Sequence, residues 1–387
     1  MGPLTPEAEL LLQIARPTLD AAGAERIRAL AQSVLDWDVL HQMVSRHRLG
    51  PFLYVHLNAV AGAAVPRPVF MDLWRTHETN ARRNVSLAAE LGRLVQLLEN
   101  AGVAALAYKG PVLAQQLYGD VALREFEDLD LLVRAADMPR VKNILLADCY
   151  DVDDTLTPSA EAAMFRSRTQ YHRGFVHRET GEKVEVHWKT DPRYPVEHTA
   201  DPSWWDSRPR VSIGGAQVRT FSATEQLLLL TLHASKHQGH RLGWQLDLAQ
   251  LIRHEQIDWF WIEEAVERMR CRRRVFVPLL LSHEWMGARL PDHLLRAVRA
   301  NAAVKSAADE IAARFFTRDV LERQALERLR LDLRLCDGWR ERARLVTEIA
   351  CAPTRLEWSR YTLPRSLEFL YVPLRMARLA GKYGRRG

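Results

Sequence analysis

The sequence predicts an α+β protein in which a small mixed sheet lies between two helical regions. Three observations carry this reading. Apolar residues recur at three- and four-residue spacing from residue 6 to about 100, and again from Ser222 onward, which is the period of amphipathic helices. Between these stretches the texture changes to short apolar and β-branched runs alternating with helical segments. No self-similarity appears at the periods that mark solenoids, so the three stretches are regions of one fold and not repeats. The division expected is a helical region at 1–100, an α/β core at 101–221 and a helical region at 222–387.

Taken in order, AAGAERIRALAQSVLD, DVLHQMVSRHRL and VSLAAELGRLVQLLENAG read as helices, punctuated at Gly50-Pro51 and at Pro66 to Pro68. Gly102 caps the last of them, and a strand follows at 103–108. A helix at 111–118, a strand at 127–133 and a helix at 137–147 come next. YHRGFVHR and KVEVHWK read as strands of an antiparallel hairpin around the turn Glu179-Thr180-Gly181-Glu182. RVSIGG and QVRTF form a last strand pair that closes the core. Ser222 or Thr224 then caps the helix EQLLLLTLHASKH, followed by helical stretches at 244–254, 258–270 and 275–287.

A chain of 387 residues, 47% hydrophobic and 26% charged, has room for two or three folded domains. The N-terminal stretch MGPLTPEAELLLQIARP carries Glu7 and Glu9 where a signal peptide is apolar, and no run reaches the ~20 apolar residues of a membrane span. A cytoplasmic protein is expected. Cys149, Cys271, Cys336 and Cys351 are far apart with no CxxC pair, which argues for free thiols and against a disulfide framework or cysteine-built zinc site. Net charge is +6, compatible with polyanionic partners but not diagnostic of them. Seven lysines stand against forty-seven arginines, the usage of a GC-rich genome, and that scarcity draws attention to Lys109 and Lys236.

The chemistry centres on EFEDLDLLV. Alternation along a strand puts Asp128 and Asp130 on one face, with Leu129, Leu131 and Val133 on the other. Two carboxylates about 7 Å apart on one strand face, joined by a third from a neighbouring strand, can hold two divalent ions for in-line displacement at phosphorus. Glu7/Glu9, Asp36/Asp38, Glu125/Glu127 and Asp151/Asp153 repeat the spacing. Asp36 and Asp38 sit at a helix start, where acids favour the macrodipole. Only Asp128 and Asp130 open an apolar strand. Glu185, between Val184 and Val186 in KVEVHWK, supplies the third acid if its strand lies antiparallel beside the first; by local pattern alone it reads sooner as an exposed strand residue. His187 shares its face and can orient Glu185, touch substrate or simply pack.

Upstream, Tyr108-Lys109-Gly110-Pro111 is a strand-to-helix turn whose helix N-terminus offers unpaired N–H groups to an anion. Lys109 adds a point charge, and Arg124 a planar fork suited to phosphate. Downstream, His233, Lys236 and His237 fall on one helix face, with Arg241 and Asp247 following. Lys236 is the expected triphosphate contact there. The HxxxH pair lacks a third ligand for zinc, so both histidines read as packing residues.

The run YKGPVLAQQLYGDVALREFEDLDLLV resembles the core of the uncharacterised nucleotidyltransferase family, part of the DNA polymerase β-like superfamily. The resemblance continues through VEVHWK and LLLLTLHASKH…RLGWQLDLAQL…IDW, and back to DWDVLHQMVSRHRLGPFLY, covering roughly residues 30–290. It implies a polymerase β-like core, with Asp128, Asp130 and Glu185 as catalytic and metal-binding acids and Gly110 as the turn over the triphosphate. The wider superfamily has Gly-Ser or Gly-Gly about ten residues before its acids. Here Gly110-Pro111 comes eighteen residues before Asp128, and Lys109 and Arg124 are the natural substitutes for the missing serine.

The activity this implies is transfer of a nucleoside monophosphate from an NTP, expected to be ATP, to an acceptor with release of pyrophosphate. Two magnesium ions, or manganese, are the expected cofactors. Lys109, Gly110, Arg124, His187, Lys236, Arg241 and Asp247 are the expected nucleotide-binding residues. The acceptor, whether small molecule, peptide, protein or RNA, is left open by the sequence. The alternative is a catalytically silent nucleotide- or peptide-binding partner in a biosynthetic cluster. The basic stretch RSLEFLYVPLRMARLAGKYGRR reads as a helix packed on its own domain with a solvated arginine face, or else as a contact for a partner or an anionic membrane surface.

Overall fold

A computed structural model describes residues 4–383 apart from 34, 155, 240 and 317–324. Five helices come first: α1 (Pro6–Ile14), α2 (Ala21–Ala31), α3 (Trp37–His47), α4 (Gly50–Val60) and α5 (Arg67–Asn100). Pro66 and Pro68 open α5 and do not interrupt it, so the helix expected near 85–102 begins a full five turns earlier. Gly92, within α5, lets the chain approach closely. A Cβ there would lie 2.8 Å from the Ile213 carbonyl oxygen.

The central region runs β1 (Ala105–Tyr108), α6 (Gly110–Tyr118), β2 (Asp128–Val133), α7 (Met138–Ala147), β3 (Tyr150–Val152), α8 (Pro158–Arg166), β4 (His172–His177), β5 (Lys183–His187), α9 (Pro202–Asp206), β6 (Arg210–Ile213) and β7 (Ala216–Arg219). The first five strands form one mixed sheet in the order β1-β2-β5-β4-β3. β4 and β5 are the antiparallel hairpin that the sequence predicts. β5, however, lies parallel to β2, not antiparallel. The chain between them passes through α7, β3, α8 and β4 before β5 enters the sheet, and this long connection reverses its direction relative to a hairpin. β6 and β7 pair only with each other. They make a separate ribbon against α5 and β1 in place of a closing edge of the sheet.

Among the described residues ten α-helices follow: α10 (Ala223–Lys236), α11 (Leu242–His254), α12 (Trp259–Met269), α13 (Arg272–Met286), α14 (Asp292–Ala300), α15 (Ala302–Phe315), α16 (Ala325–Arg334), α17 (Trp339–Cys351), α18 (Arg355–Arg360) and α19 (Tyr371–Tyr383). Ser222 caps α10 through a reciprocal capping box with Glu225. α10 is buried almost all round, as a helix apolar on every side must be. No helix among the described residues is long and apolar enough to cross a membrane.

The strand alternation decides which core each side chain joins. Leu129, Leu131 and Val133 of β2, with Val184 and Val186 of β5, pack into a core closed by α5, α7 and α8. Leu132 turns the other way, into a second core that holds apolar residues of α1–α4 together with those of α10–α15. Asp128 and Asp130 share the face of Leu132. The acids therefore look from the sheet toward the helices of both ends.

Candidate active site

The register brings the sequence-predicted acids together. Asp130 is the Cα partner of Glu185 on β5 and of Tyr108 on β1. Glu185 and His187 share one face of β5, so His187 lies one pair further along, opposite Leu132. Its Nε2 sits 2.9 Å from Asp130 Oδ1 and 3.4 Å from Glu185 Oε2, bridging the two acids. His172, from β4, stacks on His187 with ring centroids 5.1 Å apart. Its Nε2 is 3.8 Å from Glu185 Oε1.

Lys109 closes the site from the other side. Its Nζ donates to Asp130 Oδ1 at 3.3 Å. The residue holds φ +59°, a conformation that non-glycine residues seldom adopt, and Gly110 follows at φ +39°. A Cβ on Gly110 would lie 3.2 Å from the Asp128 carbonyl oxygen. The close approach that Gly110 permits is thus, in the first place, to the start of the acidic strand.

Crowding sets the protonation of each group. Burial, followed by the charges of Asp130 and Glu185, pushes Asp128 up to about 6. Burial would also raise Asp130, but Lys109 and His187 outweigh it and hold that carboxyl far below its ordinary range. The hydrogen bond from His187 holds Glu185 below the usual value against the effect of burial. Burial favours neutral His187, yet its bonds to Asp130 and Glu185 raise its pKa. His172 is pushed down to about 4 by burial and by His187. Buried His187 Nδ1, His172 Nδ1 and Tyr108 Oη have no hydrogen-bond partner among the described residues, which leaves polar capacity around the acids.

These groups line a cavity of about 390 Å³. Lys109, Gly110, Arg124, Asp128, Asp130, Glu185, His187, Lys236 and Arg241 all reach it. Asp247 does not. Its carboxylate is buried behind the wall, accepting from Arg124 Nε and Nη2 at 3.1 and 3.0 Å and from the Tyr118 hydroxyl at 2.7 Å. An acid so engaged fixes the Arg124 fork. Lys236 Nζ lies 2.5 Å from the Tyr171 hydroxyl and over that ring. Arg241 lies over the Trp244 ring at 5.0 Å. His233 and His237 pack on each other and on Trp244. Among the described residues the donors that converge are those of Asp130, Glu185 and His187; the HxxxH pair lines the same cavity but is not part of that set.

Among the wall residues that escaped the sequence reading are Arg48, Tyr171, His172 and Trp244. Arg48 ends α3 in the left-handed conformation and pairs with Glu127 at 2.5 Å and Glu125 at 3.6 Å. That pairing explains the acid-x-acid repeat at 125 and 127 as an anchor for the N-terminal helices. His172 could have been found from the alternation of β4, since it faces His187 in the register, whereas Tyr171 lies just before the strand and outside that rule. Arg48 and Trp244 left no local signal.

The family model described as an uncharacterised nucleotidyltransferase matches residues 33–287, about two thirds of the chain. No curated protein matches it.

Proposed function

The chain belongs to the uncharacterised nucleotidyltransferase family, and on that footing we propose that it moves a nucleoside monophosphate from an NTP, ATP the first to test, onto an acceptor nucleophile. Pyrophosphate leaves. The polymerase β-like core expected from the sequence is part of the same proposal. The observation that carries it is Asp130 beside Glu185 at one register step, with Asp128 on the same face and His187 bridging the two.

The donor set fits hard divalent ions. Carboxylate oxygens are their preferred ligands, and the donor atoms of Asp130, Glu185 and His187 lie within 4.8 Å of one another. Burial, followed by the charges of Asp130 and Glu185, pushes Asp128 up to about 6, as in a site short of positive charge. Asp128, Asp130 and Glu185 would hold magnesium or manganese, which when bound supplies charge neutralisation at the triphosphate and polarisation of the acceptor oxygen.

The protein's own groups do the positioning. Gly110 brings the N-terminus of α6 to the cavity wall, and Lys109, Arg48, Lys236 and Arg241 surround it with fixed positive charge. A triphosphate lying among them has its leaving-group charge met before the reaction begins. His187 fixes Asp130 and Glu185 relative to each other and is a positioning residue. Glu185, more open than Asp130, takes the proton from the acceptor as the acceptor oxygen bonds to the α-phosphorus and the bond to the bridging oxygen breaks.

The test uses α-labelled ATP, magnesium and a small-molecule extract of the native host as the source of acceptor. Replacing Asp128 and Asp130 with Asn is expected to cut label transfer by about 10³-fold or more. Wild-type transfer by the double variant would sink the proposal.

A further inference from the structure

The last fifty residues concentrate charge and exposed apolar surface that the acidic site does not use. Residues 338–387 carry eleven arginines and lysines against four acids, a net charge of +7, whereas the whole chain carries +6. All four acids turn inward. Glu341 pairs with Arg270 at 3.5 Å, and Glu348 with Arg193 and Arg344 at 2.5 and 2.8 Å. Glu357 pairs with Arg375 and Arg378, and Glu368 with Arg166. Arg340, Arg342, Arg360 and Arg365 remain exposed.

The apolar side chains do the reverse of what a surface helix normally does. On α17, Trp339, Ala343 and Val346 stand at i, i+4 and i+7 on the solvent face, with Leu345 buried behind them. Trp339 is 73% exposed. On α19, which packs against α17, Pro373, Met376, Ala377 and Ala380 are exposed at helical spacing, with Gly381 beside them. The solvated arginine face expected of this stretch is therefore not what α19 presents, because Arg375 and Arg378 are drawn inward by Glu357. Residues 384–386 of the stretch lie outside the described residues. Leu367 and Phe369, in the turn leading into α19, are also exposed, Phe369 by 67%. Seven of the eleven large apolar side chains exposed among the described residues fall between 339 and 376.

We propose that the face formed by α17, α19 and the turn before α19 docks on an anionic lipid bilayer, lying on it without crossing. Aliphatic and aromatic side chains in the headgroup boundary with arginines around them are the chemistry of such a surface. The positive field of the segment selects anionic headgroups. A second copy of the chain would set one arginine cluster against another. A nucleic acid would take the arginines and leave the apolar stripes in water. Only the bilayer uses both. This inference is independent of the nucleotidyl-transfer reading.

The test is co-sedimentation of the full chain with phosphatidylcholine vesicles, with and without about a third phosphatidylserine. Binding to the anionic vesicles alone is expected, weakened in roughly 0.5 M salt. Trp339→Glu with Val346→Glu is expected to lower the bound fraction about tenfold, and Phe369→Glu to lower it on its own. Melting temperatures like the wild type's establish that the variants are folded. Absence of binding to anionic vesicles, or binding that survives these substitutions, overturns the proposal. So does a dimer in sedimentation velocity that Trp339→Glu dissolves, or capture of an oligonucleotide with no capture of vesicles.

Discussion

Asp128 and Asp130 are two residues apart on one strand face, and their surroundings give them different chemistry. Asp130 lies between the Lys109 ammonium and the His187 ring, both of which stabilise its charge. Asp128 takes the cost of crowding, and burial with its neighbours' charges pushes it up to about 6. The sign of the resulting pH dependence follows from linkage. A carboxyl whose folded pKa is raised binds its proton more readily in the native state, so its contribution to stability falls as pH rises from the ordinary carboxylate value to about 6 and is constant above. Asp130 and Glu185, with depressed values, stabilise above the ordinary carboxylate range and lose that contribution as pH falls through their folded values. In chelator at pH 7.5, Asp128→Asn should stabilise the protein by about 1–2 kcal/mol, read as a higher melting temperature. At pH 4 the gain should vanish. A variant less stable than wild type at pH 7.5 would contradict the crowding described here. These acids were legible because strand alternation is a local rule. Arg48 was not, since its place beside them depends on ion pairs to Glu125 and Glu127 more than seventy residues away.

At the level of elements, the strand-to-helix turn and the strand pairing hold the site. Gly110 is required by its φ of +39° and by the Asp128 carbonyl oxygen 3.2 Å from any Cβ. Gly110→Ala should destabilise by about 1–3 kcal/mol and lower nucleotidyl transfer by more than that loss of stability accounts for, since it displaces both Lys109 and the start of β2. Melting curves and turnover measured side by side separate the two effects. Turnover unchanged in a stable Gly110→Ala protein would show that the turn is not part of the machinery. The sequence made β1, α6, β2, α7 and the β4–β5 hairpin readable from period and turn chemistry. It left out β3, whose three residues are too few for an alternation pattern, and it set β5 antiparallel to β2. Direction in a sheet is fixed by the path of the chain between strands, and no residue within Lys183–His187 encodes it. The juxtaposition of Glu185 with Asp130 survived this error because side chains alternate with period two in either direction.

Over the whole molecule, the helices of the two ends share one core. Leu10, Leu11 and Leu53 belong to the same buried cluster as Leu228, Leu246 and Leu280. Such a core cannot close from either end alone. Deleting residues 1–60 should therefore leave a chain that aggregates, checked by size-exclusion chromatography. A soluble monomer with a wild-type melting curve would contradict that shared core. The same arrangement sets the acids of the sheet opposite α10 and α11, and places Arg48 of the first region in the wall with Arg241 of the last. Periodicity told both ends to be helical but gave no means of seeing that they pack together. The family was legible all the same, from the motif run between Tyr108 and Val133 and its continuation at VEVHWK, and the match over residues 33–287 bears it out. The central proposal is that the acids form a metal-binding centre that works on a nucleotide. Its most direct measurement is titration of manganese by electron paramagnetic resonance with ATP present, in the wild-type protein and in Asp130→Asn. Two bound ions per chain in the wild type, lost in the variant, is the result expected; ion binding in Asp130→Asn equal to that of the wild type would contradict it.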